Sequence, residues 1–192
     1  MMRLSVYLIV LVSFVLLQSC ATDPKILAEK QKEKIASETI KEAPKWFKKL
    51  PKNKKILYAK GTAVSSDMQL SIDKAKIAAK RSLAEKLEST ISSKTKQFAK
   101  ETGIDEMTEL YTELEQVTIN SVKEASIVGF NEYKSKTVLI GSKYRTFYVL
   151  EFPIDKANKI LLSQIKNNAL VEQSIKASEA YKELEEEIKS SN

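Results

Sequence analysis

No histidine occurs anywhere in the 192 residues, and there is a single cysteine, Cys20. The first absence removes the commonest general base and the commonest metal ligand together, so Ser-His-Asp and Cys-His arrangements and His or Cys metal sites are excluded. Glycine is scarce, and Gly61, Gly103, Gly129 and Gly141 lie too far apart to build a phosphate-cradling loop. Arginine is scarcer still. Only Arg3, Arg81 and Arg145 occur in a chain of net charge +7, so the positive charge is nearly all lysine. Specific phosphate reading favours the guanidinium fork, and scattered lysine reads as hydrated surface, so no nucleic-acid partner is expected. Serine and lysine neighbours such as Ser92, Ser93 and Lys94 read as the exposed face of a helix. The carboxylate pairs Glu113 with Glu115 and Asp67 with Asp73 lack the apolar setting that would raise one pKa for acid catalysis. The chain is therefore expected to be non-enzymatic and to hold neither a cofactor nor a metal.

What is present begins at the start of the chain. After Arg3, residues Leu4 to Leu17 are apolar except for Ser5 and Ser13, a run of fourteen. A membrane-crossing helix needs about 20 such residues, so residues 1–19 read as a signal peptide. Leu17, Gln18, Ser19 and Cys20 resemble a lipobox, with a branched aliphatic three before the cysteine and a small residue directly before it. Only a thiol can take the diacylglyceryl thioether, so Cys20 is the expected lipidation site and a membrane the first expected partner. Each buried methylene contributes about 0.8 kcal/mol, and two or three acyl chains would hold the protein firmly. Ala21 stands where an inner-membrane retention aspartate would, which points to the outer membrane, facing the periplasm or the cell surface. With its thiol consumed the chain has no disulfide, and its fold must rest on an apolar core.

Residues 20–43 are the expected anchor and charged tether, with Ile26, Leu27, Ile35 and Ile40 too sparse for a packed face. Pro44 and Pro51 bracket Trp46 and Phe47, expected to dock as a short clip. Lys55 to Val64 reads as a strand with one face of small residues, Leu57, Ala59, Gly61 and Ala63, which would let a helix backbone approach closely. That helix is expected to open on a capping box of Ser66 and Gln69 and run to Gly103, burying Met68, Ile72, Ala75, Ala79, Leu83, Leu87 and Ile91. A second helix is expected from about Asp105, burying Met107, Leu110, Tyr111, Leu114, Val117 and Val122. Ser126–Ile140 and Lys143–Phe152 then read as a hairpin closed by Gly141 and Ser142 in a type II′ turn. From Ile154 and Asp155 a last long helix is expected, with Ile160, Leu161, Ile165, Val171, Ile175, Tyr181, Leu184 and Ile188 on one stripe. Its acidic end, around residues 183–189, is expected to project and offers self-association with the lysine-rich body. The order is β-α-α-β-β-α, an α+β class.

The run from Pro44 to about Leu87 resembles the Lpp-twenty lipoprotein family, surface lipoproteins whose relatives include flagellar basal-disk lipoproteins. The resemblance rests on Trp46 after proline, on Tyr58 before Gly61 and Ala63, and on the alanines at 75, 79 and 84. It implies a domain over about 44–155 in which a long helix packs on a three-stranded antiparallel sheet, followed here by a helical extension over 156–192. It implies no catalytic residue. The expected function is a membrane-anchored, non-catalytic binding or assembly module whose partner is protein or a second copy. The alternatives are a subunit of a flagellar basal-body ring or disk, and a small-ligand binder, since the sheet-and-helix arrangement is similar to that of dodecin-like flavin binders. Trp46, Tyr58, Tyr144 and Tyr148 are the candidate surface for a partner or stacked ligand.

Overall fold

The computed structural model describes residues 23–103 and 108–190. The expected signal peptide, the lipobox residues Leu17, Gln18 and Ser19, and Cys20 lie outside the described residues, as do Asp105 and Met107. The chain divides between Lys41 and Glu42. The expected tether is a regular helix, α1 (Pro24–Glu42), of 19 residues with none buried. Its apolar side chains Ile26, Leu27, Ile35 and Ile40 fall on different faces and are all exposed.

Within the compact unit that begins at Glu42, the aromatic clip is a single helical turn, α2 (Lys45–Lys48). Pro44 does not prevent it, because it sits at the N-cap, where no N–H is required. Next come β1 (Ile56–Ser65), α3 (Met68–Thr102), α4 (Thr108–Val128), β2 (Asn131–Ile140) and β3 (Lys143–Pro153). The strands form one antiparallel sheet in the order β1-β3-β2, packed against α3, as the α+β expectation required. The small face of β1 meets that helix. A Cβ on Gly61 would stand 2.2 Å from the Ala75 carbonyl oxygen and 2.3 Å from the Ala79 nitrogen, so only glycine admits so close an approach.

The start of α3 differs from expectation. Asp67, not Ser66, is the cap, its Oδ1 accepting the Leu70 N–H at 2.7 Å. The helix begins one residue later than the serine pattern implies, which places a carboxylate at the positive end of the dipole. Met68 is 50% exposed, because its turn stands beyond the end of the sheet. Ser71 reaches the last rungs instead, with Oγ on the Ala63 and Tyr144 carbonyls and 3.0 Å from Thr146 Oγ1. The buried stripe then runs through Ala75, Ala79, Leu83, Leu87, Ile91, Thr95 and Phe98 to Gly103, whose φ of +65° closes the helix in the left-handed conformation.

The α4 stripe passes through Tyr111, Leu114, Thr118 and Val122, while Val117 is 42% exposed, off the buried face. The helix persists through Ser126, expected as strand, and stops where the Gly129 N–H reaches the Ala125 carbonyl at 2.9 Å. Gly141 turns the hairpin at φ +62°, as a primed turn requires of its first central residue.

The single C-terminal helix is in fact three: α5 (Ile154–Lys166), α6 (Ala169–Ile175) and α7 (Glu179–Lys189). Asn168 and Ser178 start the second and third by accepting the N–H of Val171 and of Tyr181, each at 3.2 Å. Nor does the end project. Tyr181 and Leu184 are buried in the same cluster as Leu87, Phe98 and Phe152, and Glu187 meets Lys94 at 2.7 Å and Asn158 at 2.8 Å. The Glu101 carboxylate of α3 caps α7 by accepting the Ala180 N–H at 3.0 Å.

Candidate functional site

Register decides where the four candidate aromatics lie, because successive residues of a strand face opposite sides of a sheet. Gly61 and Tyr148 are cross-strand partners on the α3 side, as are Ser65 and Tyr144, whereas Tyr58 pairs with Glu151 on the opposite side. Tyr148 is buried, and its phenol is held well above the ordinary range, first by burial and then by the Glu132 carboxylate. Tyr144 sits at the far end, seven rungs from Tyr58, or roughly 23 Å along the strands. Trp46 lies on α2, its ring 6.2 Å from Phe47, which in turn packs edge-on against Phe147 at 5.0 Å. The four residues thus do not form one surface: Tyr148 is core, Tyr144 marks one end, Trp46 braces the clip, and Tyr58 lines a groove.

Tyr58 sits in a local constellation that the sequence did not reveal. Its ring stands edge-on to Tyr133 at 5.0 Å, reaching across β3. Tyr133 is available there because the β2 register slips between Glu132 and Lys134, inserting one extra residue. Burial is the first cause that raises the Tyr58 phenol, followed by Glu151 and Tyr133.

The main chain of Tyr58 is also at an edge. The Ile154 N–H donates to the Lys55 carbonyl at 2.9 Å, so hydrogen bonding to β3 alternates from Lys55 onward. The amides of Tyr58, Lys60, Thr62 and Val64 therefore face away from β3 along the free side of β1. Lys86 of α3 closes part of this edge, donating from Nζ to the Tyr58 carbonyl at 2.5 Å. Burial lowers its pKa, and the neighbouring Lys60 lowers it further.

Beside this edge the chain leaves the clip, passes Pro51, bends at Lys54 and Lys55, and is launched into β1 by Asn53, whose Oδ1 accepts the Lys55 N–H at 2.8 Å. The 50–54 segment, Ile56, Leu57, Tyr58 and Lys86 line an open groove of about 600 Å³. Leu50, Pro51, Ile56 and Leu57 give it an apolar body, Lys52, Lys54 and Lys86 supply positive charge, and among the described residues no carboxylate lines it. A second, smaller cavity of about 180 Å³ lies between α4 and the α5–α6 junction, lined by Glu113, Leu114, Val117, Gln164, Asn167 and Asn168.

Ser92 and Lys94 are not simple surface residues: the Ser92 hydroxyl donates to Glu115 of α4 at 2.6 Å, and Lys94 pairs with Glu187 of α7. Two residues apart on a helix, they engage opposite neighbours. Asp67 is a cap and Asp73 accepts from Gln69 at 3.0 Å, so that carboxylate pair serves the first turns of α3. Among the described residues there is no cluster of three or more His, Cys, Asp or Glu able to hold a metal ion, and no helix long and apolar enough to cross a membrane. Comparison with known proteins finds no matching family model, curated protein or solved structure.

Proposed function

We propose that this chain is a lipid-anchored, non-catalytic binding or assembly module of the bacterial cell envelope, held at the outer membrane through Cys20. The observation that carries the reading is the sole cysteine of the chain, placed directly after a short apolar run and a small residue, and followed by a helix with nothing buried. At 19 residues and about 1.5 Å per residue, α1 spans roughly 28 Å, a length suited to separating a folded unit from lipid headgroups. The resemblance to the Lpp-twenty lipoproteins supports the same reading, and a helix on a three-stranded sheet is the arrangement that resemblance implies.

The test is metabolic labelling with radiolabelled palmitate, followed by cell fractionation. The native chain should carry label and sediment with membranes, and Cys20→Ser should do neither. Palmitate incorporation into Cys20→Ser, or an unlabelled native chain in the soluble fraction, would sink the proposal.

A further inference from the structure

We propose that the groove at the free edge of β1 binds a single-chain amphipathic anion: an aliphatic tail with one anionic head, taken up as a free molecule and not as part of a bilayer. The inference rests on the binding-module reading and names its ligand class. The lining divides in the way such a ligand does. Leu50, Pro51 and Leu57 offer a surface for a tail, and Lys52, Lys54 and Lys86 line the same groove with no carboxylate beside them among its described lining residues. A volume of about 600 Å³ falls in the range of small-molecule sites. A groove of this volume takes up one tail, whereas the headgroup layer of a membrane needs a broad, level contact.

Lys86 is the residue placed to bind the head. An ammonium has three donors, and one is engaged by the Tyr58 carbonyl, which fixes the group at the groove wall and leaves two for an anion. Burial first, and the positive charge of Lys60 second, disfavour protonation of Lys86, so a bound anion would offset the repulsion between the two ammonium groups. Salt bridges occupy several other lysines, among them Lys94, Lys123 and Lys136, whereas this set gathers around an open apolar floor.

The full-length protein in phosphatidylcholine vesicles is acetylated with acetic anhydride, and each lysine's labelling rate is read by peptide mass spectrometry. Decanoate is the probe, with decanol, inorganic phosphate and phosphatidylglycerol vesicles as separate arms. Decanoate should slow labelling of Lys52, Lys54 and Lys86 by about tenfold at ten times its Kd, leaving the solvent-facing Lys176 unchanged. Lys86→Met should weaken the protection of Lys52 and Lys54 by roughly tenfold. Leu50→Glu, which puts a carboxylate in the lining, should abolish protection. The proposal is overturned if decanoate protects none of the three lysines, or if decanol or phosphate protects them equally. It is likewise overturned if phosphatidylglycerol vesicles match free decanoate, or if Lys86→Met leaves protection intact. Acetylation reports occupancy of the groove and palmitate labelling reports the anchor, so a failed groove and a failed anchor give different results.

Discussion

Replacing Gly61 with alanine adds one methyl group at the point where β1 and α3 come closest. The new Cβ would meet Ala75 O at 2.2 Å, Ala79 N at 2.3 Å and Ala78 C at 2.9 Å, all main-chain atoms of a helix, so no side chain can rotate to make room. Ordinary contact begins at 3.4 Å, so α3 must retreat from the sheet by roughly an ångström. That displacement loosens Ala75, Ala79 and Leu83 against β1 and β3 at once. Overpacking typically costs 1–3 kcal/mol, and a clash with two backbone segments places Gly61→Ala at the top of that range, about 3 kcal/mol. For a unit of this size that corresponds to a fall in Tm of roughly 6–12 °C. Urea unfolding followed by far-ultraviolet circular dichroism measures it directly, with Thr62→Ala, one residue along on the exposed side, as the reference. Were Gly61→Ala to lose less than about 1 kcal/mol, the close packing of α3 on β1 would be refuted.

Asp67→Ala should cost about 1 kcal/mol in the same assay, and Ser66→Ala only a few tenths, since the cap is the aspartate; the reverse order would restore the serine cap. Leu184→Ala should cost about 2–5 kcal/mol, because its side chain is fully buried, whereas a projecting helix would lose almost nothing. Glu101 is held below its ordinary pKa of 4.5, first by the Ala180 N–H and then by Gln97. Its contribution is therefore complete above pH 4.5 and lost as pH falls through the depressed native value. Unfolding measured from pH 7 to pH 2 should show the difference between the native chain and Glu101→Ala shrinking over that acidic window; a difference constant with pH would contradict the carboxylate cap.

The elements legible in the sequence are those with both a period and a stop signal. Gly61 with its alanine neighbours, the end of α3 at Gly103 and the turn at Gly141 all follow from what glycine alone permits. The buried stripe of the C-terminal region was legible too, and Leu161, Ile165, Val171, Ile175, Tyr181 and Leu184 are all in the core. Its two breaks were not, because hydrophobic spacing is blind to a helix that stops and restarts in phase, and the caps Asn168 and Ser178 act through single hydrogen bonds. The strand expected at Ser126 failed for a different reason: β-branched residues favour strands only weakly, and packing of α4 against α3 overrides that preference. The candidate site was less legible than the fold. Tyr58 and Tyr148 have the same residue type and the same strand-like surroundings, and only register sends one to the groove side and the other into the core. Lys86 was one lysine among many until α3 laid it across the edge of β1.

The sheet order has a consequence in time. Among the described residues β1 is an edge strand whose only ladder partner is β3, and Pro153 comes eighty-eight positions after Ser65. At synthesis rates of 5–20 residues per second, β1 waits on the order of 4–18 s before that partner exists. Until then its apolar face has α3 to lean on but no hydrogen-bonded neighbour, and α7, which seals the other end of α3, arrives later still. The hydrogen-bonding edge of β1 that β3 will occupy thus stays open while two long helices and a whole strand are still being made.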